Sequence, residues 1–72
     1  MKEKITATMA YIKRQIEWQE EELEADRAQV IRAAENSDAE TIISWANTMK
    51  RTENRLHELK LQLSMLEHLL KD

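Results

Sequence analysis

The side chains in this sequence best suited to bind a ligand form a stripe of aromatic and basic residues near the amino terminus. Tyr11, Arg14 and Trp18 are spaced three and four residues apart, and Lys4 precedes Tyr11 by seven, so a helix would stack them along one line. Aromatic rings beside a guanidinium can stack on a nucleobase or hold a partner's side chain by cation–π contact. The candidate partner- or ligand-binding set is therefore Lys4, Tyr11, Lys13, Arg14 and Trp18.

Metal binding is the second chemistry to consider, because the chain has two histidines. His57 and His68 are eleven residues apart, both at outward helical positions. Carboxylate-bridged metal sites in helical bundles use Glu-x-x-His on inward faces, but Asn54 and Met65 stand three residues before the two histidines. Glu53 and His57 would form at most half a ligand set. The sequence predicts no metal site and no cofactor.

Catalytic arrangements are not evident in the sequence. With no Cys and no Gly, the chain has neither a Cys–His pair nor a glycine-rich phosphate loop, and no Ser is flanked by a base and an orienting acid. The acidic run between Glu17 and Asp26 offers paired carboxylates, but a charged run in a helix usually faces water. We therefore expect a protein that is not an enzyme.

The size and composition of the chain favour a small helical domain that needs a partner. At 72 residues with no Cys, Gly or Pro and 35% charged residues, it suits long helices and lacks the usual turn formers and disulfides. No apolar run is long enough to cross a membrane, so we expect a soluble, cytoplasmic protein with no membrane partner. A formal net charge of −3 argues against DNA as a partner.

Two heptad patterns predict two helices, which would place these side chains. Apolar residues recur in alternating steps of four and three in each half of the chain, with a polar break between the halves. We expect a single domain over 1–72, with helices over 2–34 and 39–71 and a loop over 35–38. Asn36 would supply a left-handed residue, and Ser37 with Glu40 would form a capping box, with Asp38 as a competing N-cap. One uninterrupted helix is the main alternative.

The two patterns match when the chain folds back near Asn36. Residue i then faces roughly residue 72 minus i, which pairs the apolar positions of the two helices. This register places the polar residues Gln19 and Thr52 in one core layer and Asp26 beside Trp45, whose indole N–H could satisfy the carboxylate. We therefore expect a polar core layer formed by Gln19, Thr52, Asp26 and Trp45.

Apolar residues outside the heptad stripe predict self-association. Leu61, Met65 and Leu69 exceed what one helix–helix contact can bury, and Tyr11 and Trp18 do the same on the first helix. The expected fold is an all-α, coiled-coil-like antiparallel two-helix hairpin that forms a homodimeric four-helix bundle or a larger helical oligomer. Leu61, Met65 and Leu69 form the predicted oligomer interface, and Tyr11 and Trp18 can cover the same contact.

Charge is unevenly distributed between the two ends of the hairpin. Residues 1–18 and 55–72 carry seven basic and five acidic side chains, whereas residues 19–54 carry four and nine. The first group has a net charge of +2 and the second −5, which together give the −3 of the whole chain. Such a dipolar rod favours antiparallel pairing of two hairpins, within the range that salt allows.

Three functions fit this architecture. The first is a non-catalytic interaction protein that binds and inhibits or tethers a larger protein, as small phage or mobile-element inhibitors do. The second is a nucleotide or RNA binder that uses the aromatic–basic stripe at subunit interfaces; the architecture resembles the dimeric helical hairpins that bind plasmid RNA loops, at the level of the fold alone. The third is a structural coiled-coil module.

Overall fold

The protein folds as an antiparallel hairpin of two long helices. The computed structural model describes residues 1–71, which form α1 (Lys2–Glu35) and α2 (Ala39–Lys71). Its Cα atoms extend over 53 × 14 × 12 Å, and a helix of 34 residues is itself ~51 Å long, so the two helices lie side by side. The predicted all-helical hairpin is confirmed, and the alternative of one uninterrupted helix is wrong.

The contact between α1 and α2, here called the seam, follows the heptad positions a and d. An apolar residue every three or four positions keeps one stripe of each helix against its neighbour. Leu59 is the most deeply buried side chain of the seam, with 2% of its surface exposed. All residues that are buried in the two helices lie on this stripe: Ile12, Ile16, Asp26 and Ala33 in α1, and Thr52, Leu56 and Leu59 in α2.

The turn uses Ser37, rather than Asn36, as its left-handed residue. Ser37 has φ 55°, whereas Asn36 stays at φ −89°. Three successive backbone N–H groups of the turn point back at the end of α1. That of Asn36 donates to the Arg32 carbonyl at 3.1 Å. Those of Ser37 and Asp38 donate to the carbonyls of Ala34 at 3.1 Å and of Ala33 at 2.9 Å, respectively. These bonds satisfy carbonyls that have no partner within the helix, which explains how a turn without Gly ends α1.

The amino terminus of α2 is capped by Asp38. Its Oδ1 accepts the backbone N–H of Thr41 at 3.2 Å, and its Oδ2 accepts the Thr41 hydroxyl at 2.6 Å. The hydroxyl bond first, and the backbone bond second, hold the pKa of Asp38 below its usual value, because both favour the carboxylate. Within residues 1–71 the Ser37 hydroxyl makes no hydrogen bond, so the predicted capping box is wrong and the competing N-cap is used.

The register of the seam differs from the predicted one by one heptad. Thr52 lies opposite Asp26 rather than Gln19, and its hydroxyl donates to the Asp26 carboxylate at 3.5 Å. Leu23 likewise shares a groove with Leu56 instead of meeting Met49. Residue i therefore faces roughly residue 78 minus i. The predicted pairings of Gln19 with Thr52 and of Asp26 with Trp45 are wrong; both Gln19 and Trp45 are half-buried in other layers.

The direction of helical side chains accounts for the sign of the shift. Every Cα–Cβ bond tilts toward the amino terminus of its helix, so α1 side chains lean toward the open end and α2 side chains lean toward the turn. Two side chains that meet must therefore start from an α1 residue closer to the turn and an α2 residue further from it. Residue numbers rise toward the turn in α1 and away from the turn in α2, so both displacements mean a higher residue number. The two numbers of a pair therefore add up to more than they would if the chain were simply folded about its loop.

Candidate interaction surface

A groove between the two helices opens at the end of the hairpin that lies away from the turn. We call residues 1–18 and 55–71 the open half and residues 19–54 the loop half. The seam residues Ile12 and Leu66 form the floor of this groove, and Thr8, Gln62, Met65 and Leu69 line its sides. None of these six residues is charged, so the groove can be covered without burying a charge.

Tyr11 and Trp18 lie beside this groove on the α1 side. Moving around a helix away from the a/d stripe, one meets position g and then position c on one side. On the other side one meets position e and then position b. Thr8, at position g, lines the groove, and Tyr11 is the next c position, three residues later. Trp18 is again a c position, one heptad beyond Tyr11. Both aromatic side chains therefore belong to the face that contains the groove.

The predicted oligomer interface lies on that same face. Met65 and Leu69 line the groove, and Leu61 is one turn from Met65 toward the back of α2. We call the groove and its five large exposed side chains the apolar face. Each of the five has between 53% and 68% of its surface exposed, although none is charged: Tyr11, Trp18, Leu61, Met65 and Leu69.

The basic members of the predicted binding set do not all share this face. Lys4, at position c, lies in line with Tyr11 and Trp18, and Arg14 lies at the outer edge of the same side. Lys13 is two residues from Tyr11, a rotation of about 200°, and so points to the opposite side of α1. All three are exposed. The geometry of α1 thus groups Tyr11, Arg14 and Trp18 with Lys4 and separates Lys13 from them.

The opposite side of the hairpin is charged. Its groove is lined by Leu23 and Leu56 of the seam and by Glu53, His57 and Lys60. We call this side, which contains positions e and b, the charged face. Charged groups at these positions are well solvated and lose hydration when another surface covers them. The two faces therefore differ in how readily a partner can cover them.

Two exposed isoleucines near the turn were not among the predicted site residues. Ile31 and Ile43 have 53% and 61% of their surface exposed, and both lie at position b on the charged face of the loop half. The signal that identified Tyr11 and Leu61, an apolar residue off the a/d stripe, is present for these two residues as well. They add an apolar element to the loop half, where the acidic side chains are most numerous.

Neither a metal-binding cluster nor a membrane-spanning helix is present among the residues that the structure describes. Over residues 1–71, no three His, Asp or Glu side chains come together as a metal site, and both histidines are exposed. His68 lines a separate shallow depression on α2 together with Ser64, Met65 and Leu69. Neither α1 nor α2, as far as Lys71, has the length of apolar sequence needed to cross a membrane.

Comparisons with known proteins give no further guide to the use of these surfaces. No protein family, characterised protein or solved structure matches this chain. Functional inference therefore depends on the chemistry of the apolar face and of the loop half.

Proposed function

We propose that this chain is a non-catalytic interaction protein, which self-associates through the apolar face and binds and inhibits or tethers a larger protein. In this proposal two hairpins form a four-helix bundle over their open halves. The loop halves then carry the contacts to the larger protein. No reaction is assigned to the assembly.

The exposure of the five large apolar side chains on one face is the observation that supports self-association. Burying such a side chain completely contributes ~1.5–3 kcal/mol, and each of the five exposes more than half of its surface. A symmetric dimer would bring together two sets of them, giving on the order of 10 kcal/mol. The cost of association is ~4–15 kcal/mol, so we expect a dimer of moderate affinity.

The loop half supports the second part of the proposal. A dimer that covers the apolar face leaves Ile31 and Ile43 exposed on the other side of the hairpin. The loop half has a net charge of −5, so a surface there would favour a partner with basic residues around an apolar contact.

Sedimentation and affinity capture test the two parts separately. The mass of one chain is 8.5 kDa, and sedimentation equilibrium should give twice this value. Partner binding is tested by capture from lysate with the wild-type chain and with Ile31→Asp/Ile43→Asp, which leaves the apolar face unchanged. A protein retained by the wild-type chain and lost with this variant would support the proposal. A chain that is monomeric throughout the micromolar range would contradict self-association.

A nucleotide or RNA binder is the second candidate, favoured by the exposure of Tyr11 and Trp18 with Arg14 at the outer edge of the same side. Stacking contributes ~1–3 kcal/mol per base, which is enough for weak binding by two rings. Ligand-dependent thermal stabilisation over a panel of nucleotides and hairpin RNAs tests it. Stabilisation that is lost in Tyr11→Ala and in Trp18→Ala, but retained in Ile31→Asp/Ile43→Asp, would favour this candidate over the first.

A further inference from the structure

We propose that the occupant of the apolar face is a second copy of this chain, stacked in parallel, so that α1 of each hairpin lies on α2 of the other. The inference rests on the proposed self-association and specifies its geometry. The two-fold axis runs along the hairpin, and both turns lie at the same end.

The positions of Tyr11 and Trp18 favour a second hairpin over a single helix. A lone helix in the groove would contact mainly the d and g positions of α1, since it would lie about 60° from the direction of α2. The c positions would then point away from it by about 70°. A helix stacked squarely on α1, as in a four-helix bundle, lies only about 40° from the direction of the c positions. Only the second arrangement covers both rings.

The register of the seam favours the parallel orientation. A two-fold axis along the hairpin leaves unchanged the position of every residue along that axis, here called its height. Within one hairpin, residue i of α1 lies at the height of roughly residue 78 minus i of α2. Tyr11 then lies at the height of Met65 of the second copy, and Trp18 at the height of its Leu61. Tyr11 therefore packs on Met65 of the second copy, a favourable pairing of an aromatic ring with a thioether, whereas Leu61, at position f, lies at the outer edge of the contact.

The polar residues along the same face are also complementary in this orientation. Gln15 lies at the height of Gln62 of the second copy, where the two amides can exchange hydrogen bonds. Glu22 lies at the height of Arg55 of the second copy, which places opposite charges together. Arg55 is already held on this side of α2 by Glu58, with 3.6 Å between Nη1 and Oε2.

Full antiparallel overlap, which the charges of the two halves favour, places like charges together on this face. Arg55 would lie on Arg55 of the second copy, and Lys4 would approach its Arg32. The acidic excess of the loop half lies largely on other surfaces. Glu24 lies on the charged face, Asp38 at the turn and Glu40 on the back of α2. The side chains that meet, rather than the net charge of each half, therefore determine the orientation.

Disulfide trapping distinguishes the orientations, because the natural chain has no cysteine. Chains carrying Gln15→Cys are mixed with chains carrying Gln62→Cys under mild oxidation. Each chain has one thiol, so every disulfide joins two chains. The parallel dimer predicts a mixed covalent dimer, with at least tenfold more of it than of either homodimer. Glu20→Cys mixed with Lys60→Cys, on the charged face at a similar height, is the matched control and should give none.

Other products of the trapping experiment would overturn the orientation. Covalent dimers from Gln15→Cys alone, or from Gln15→Cys mixed with Glu22→Cys, would indicate antiparallel stacking. Failure to form the Gln15–Gln62 product while sedimentation shows a dimer would reject this geometry and leave the proposed self-association intact. A monomer in sedimentation would reject both.

A double substitution on the apolar face provides an independent test. Trp18→Ala/Met65→Ala should raise the dimer dissociation constant by about tenfold or more, since it removes two central contacts of the stacked helices. Ile31→Ala/Ile43→Ala removes exposed apolar residues outside this face and should leave the constant unchanged. Circular dichroism checks that each variant remains helical. Equal dissociation constants for the two variants would overturn the proposal.

Discussion

The open half and the loop half of the seam bury different kinds of residue. In the open half, the buried residues are the aliphatic side chains Ile12, Ile16, Leu56 and Leu59, which form one cluster. In the loop half, the buried residues are small or polar: Asp26, Ala33 and Thr52. The same heptad repeat runs through both halves, so the difference lies in residue type rather than in secondary structure.

This difference gives the two halves of the seam different roles, one in stability and the other in the register of the helices. Aliphatic layers pack almost equally well after a shift of one heptad, because the next layer presents a similar side chain. Asp26 has 4% of its surface exposed and a long contact, 3.5 Å, to the Thr52 hydroxyl, which also lies 3.1 Å from the Thr48 carbonyl. A shift of one heptad would leave the buried Asp26 carboxylate without even that contact, and burying it would then cost more free energy. We infer that the open half supplies most of the stability and that the loop half fixes the register.

The largest effect is expected from the centre of the aliphatic cluster. Leu59→Ala should lower the free energy of unfolding by ~2–5 kcal/mol, because it removes the most buried side chain and leaves a cavity. Urea denaturation followed by circular dichroism measures the change. Leu61→Ala is the matched control two residues away, with an exposed side chain, and should cost the hairpin less than about 1 kcal/mol. Similar losses for both variants would contradict the assigned seam.

The polar pair of the loop half should respond in the opposite direction. Replacing both residues, as in Asp26→Leu/Thr52→Leu, should raise the free energy of unfolding by ~1–4 kcal/mol, because no polar group is left in that layer. The register should then become heterogeneous. Spin labels at positions 20 and 60 on the charged face measure it, since a slip of one heptad displaces one label by ~10 Å along the helix axis relative to the other. A stabilised variant with one unchanged distance would reject the alignment role.

A smaller effect is expected at the cap of α2. Asp38→Ala should lower the melting temperature by a few degrees at neutral pH, because Thr41 loses its two bonds to the carboxylate. The pKa of Asp38 is lowered by folding, so its contribution is present above the ordinary value of 3.8 and is lost as the pH falls through the lower folded value.

The pH dependence provides the check on this cap. The difference in melting temperature between the wild-type chain and Asp38→Ala should shrink as the pH falls below 3.8. Ser37→Ala is the matched control, since the Ser37 hydroxyl makes no hydrogen bond within residues 1–71. A difference that does not change with pH would mean that the charge of Asp38 is unimportant.

The smallest effect is expected at the left-handed residue of the turn. Ser37→Gly should raise the free energy of unfolding by ~0.5 kcal/mol, because Gly has no Cβ to oppose φ 55°. Asn36→Gly should not stabilise the hairpin, since Asn36 has φ −89°, which any residue adopts readily. Thermal unfolding of the two variants side by side measures the difference. Stabilisation by the second change alone would contradict the turn geometry.

The sequence predicted the helices, the seam and the exposed apolar residues, because each depends on short-range periodicity. Residues such as Ile12 and Leu59 recur every three or four positions, which determines the stripe that packs. Tyr11, Trp18 and Met65 fall off that stripe and are exposed. The same rule applied to Ile31 and Ile43 would have identified the second apolar element.

The tertiary structure alone determined which residues of the two stripes meet. A heptad pattern matches itself after a shift of seven, so sequence matching could not exclude the pairing of Gln19 with Thr52. In the folded hairpin Asp26 meets Thr52 instead, an offset in the direction that the tilt of helical side chains requires. Periodicity is a property of each helix by itself, whereas register belongs to the pair and is fixed only when the helices pack.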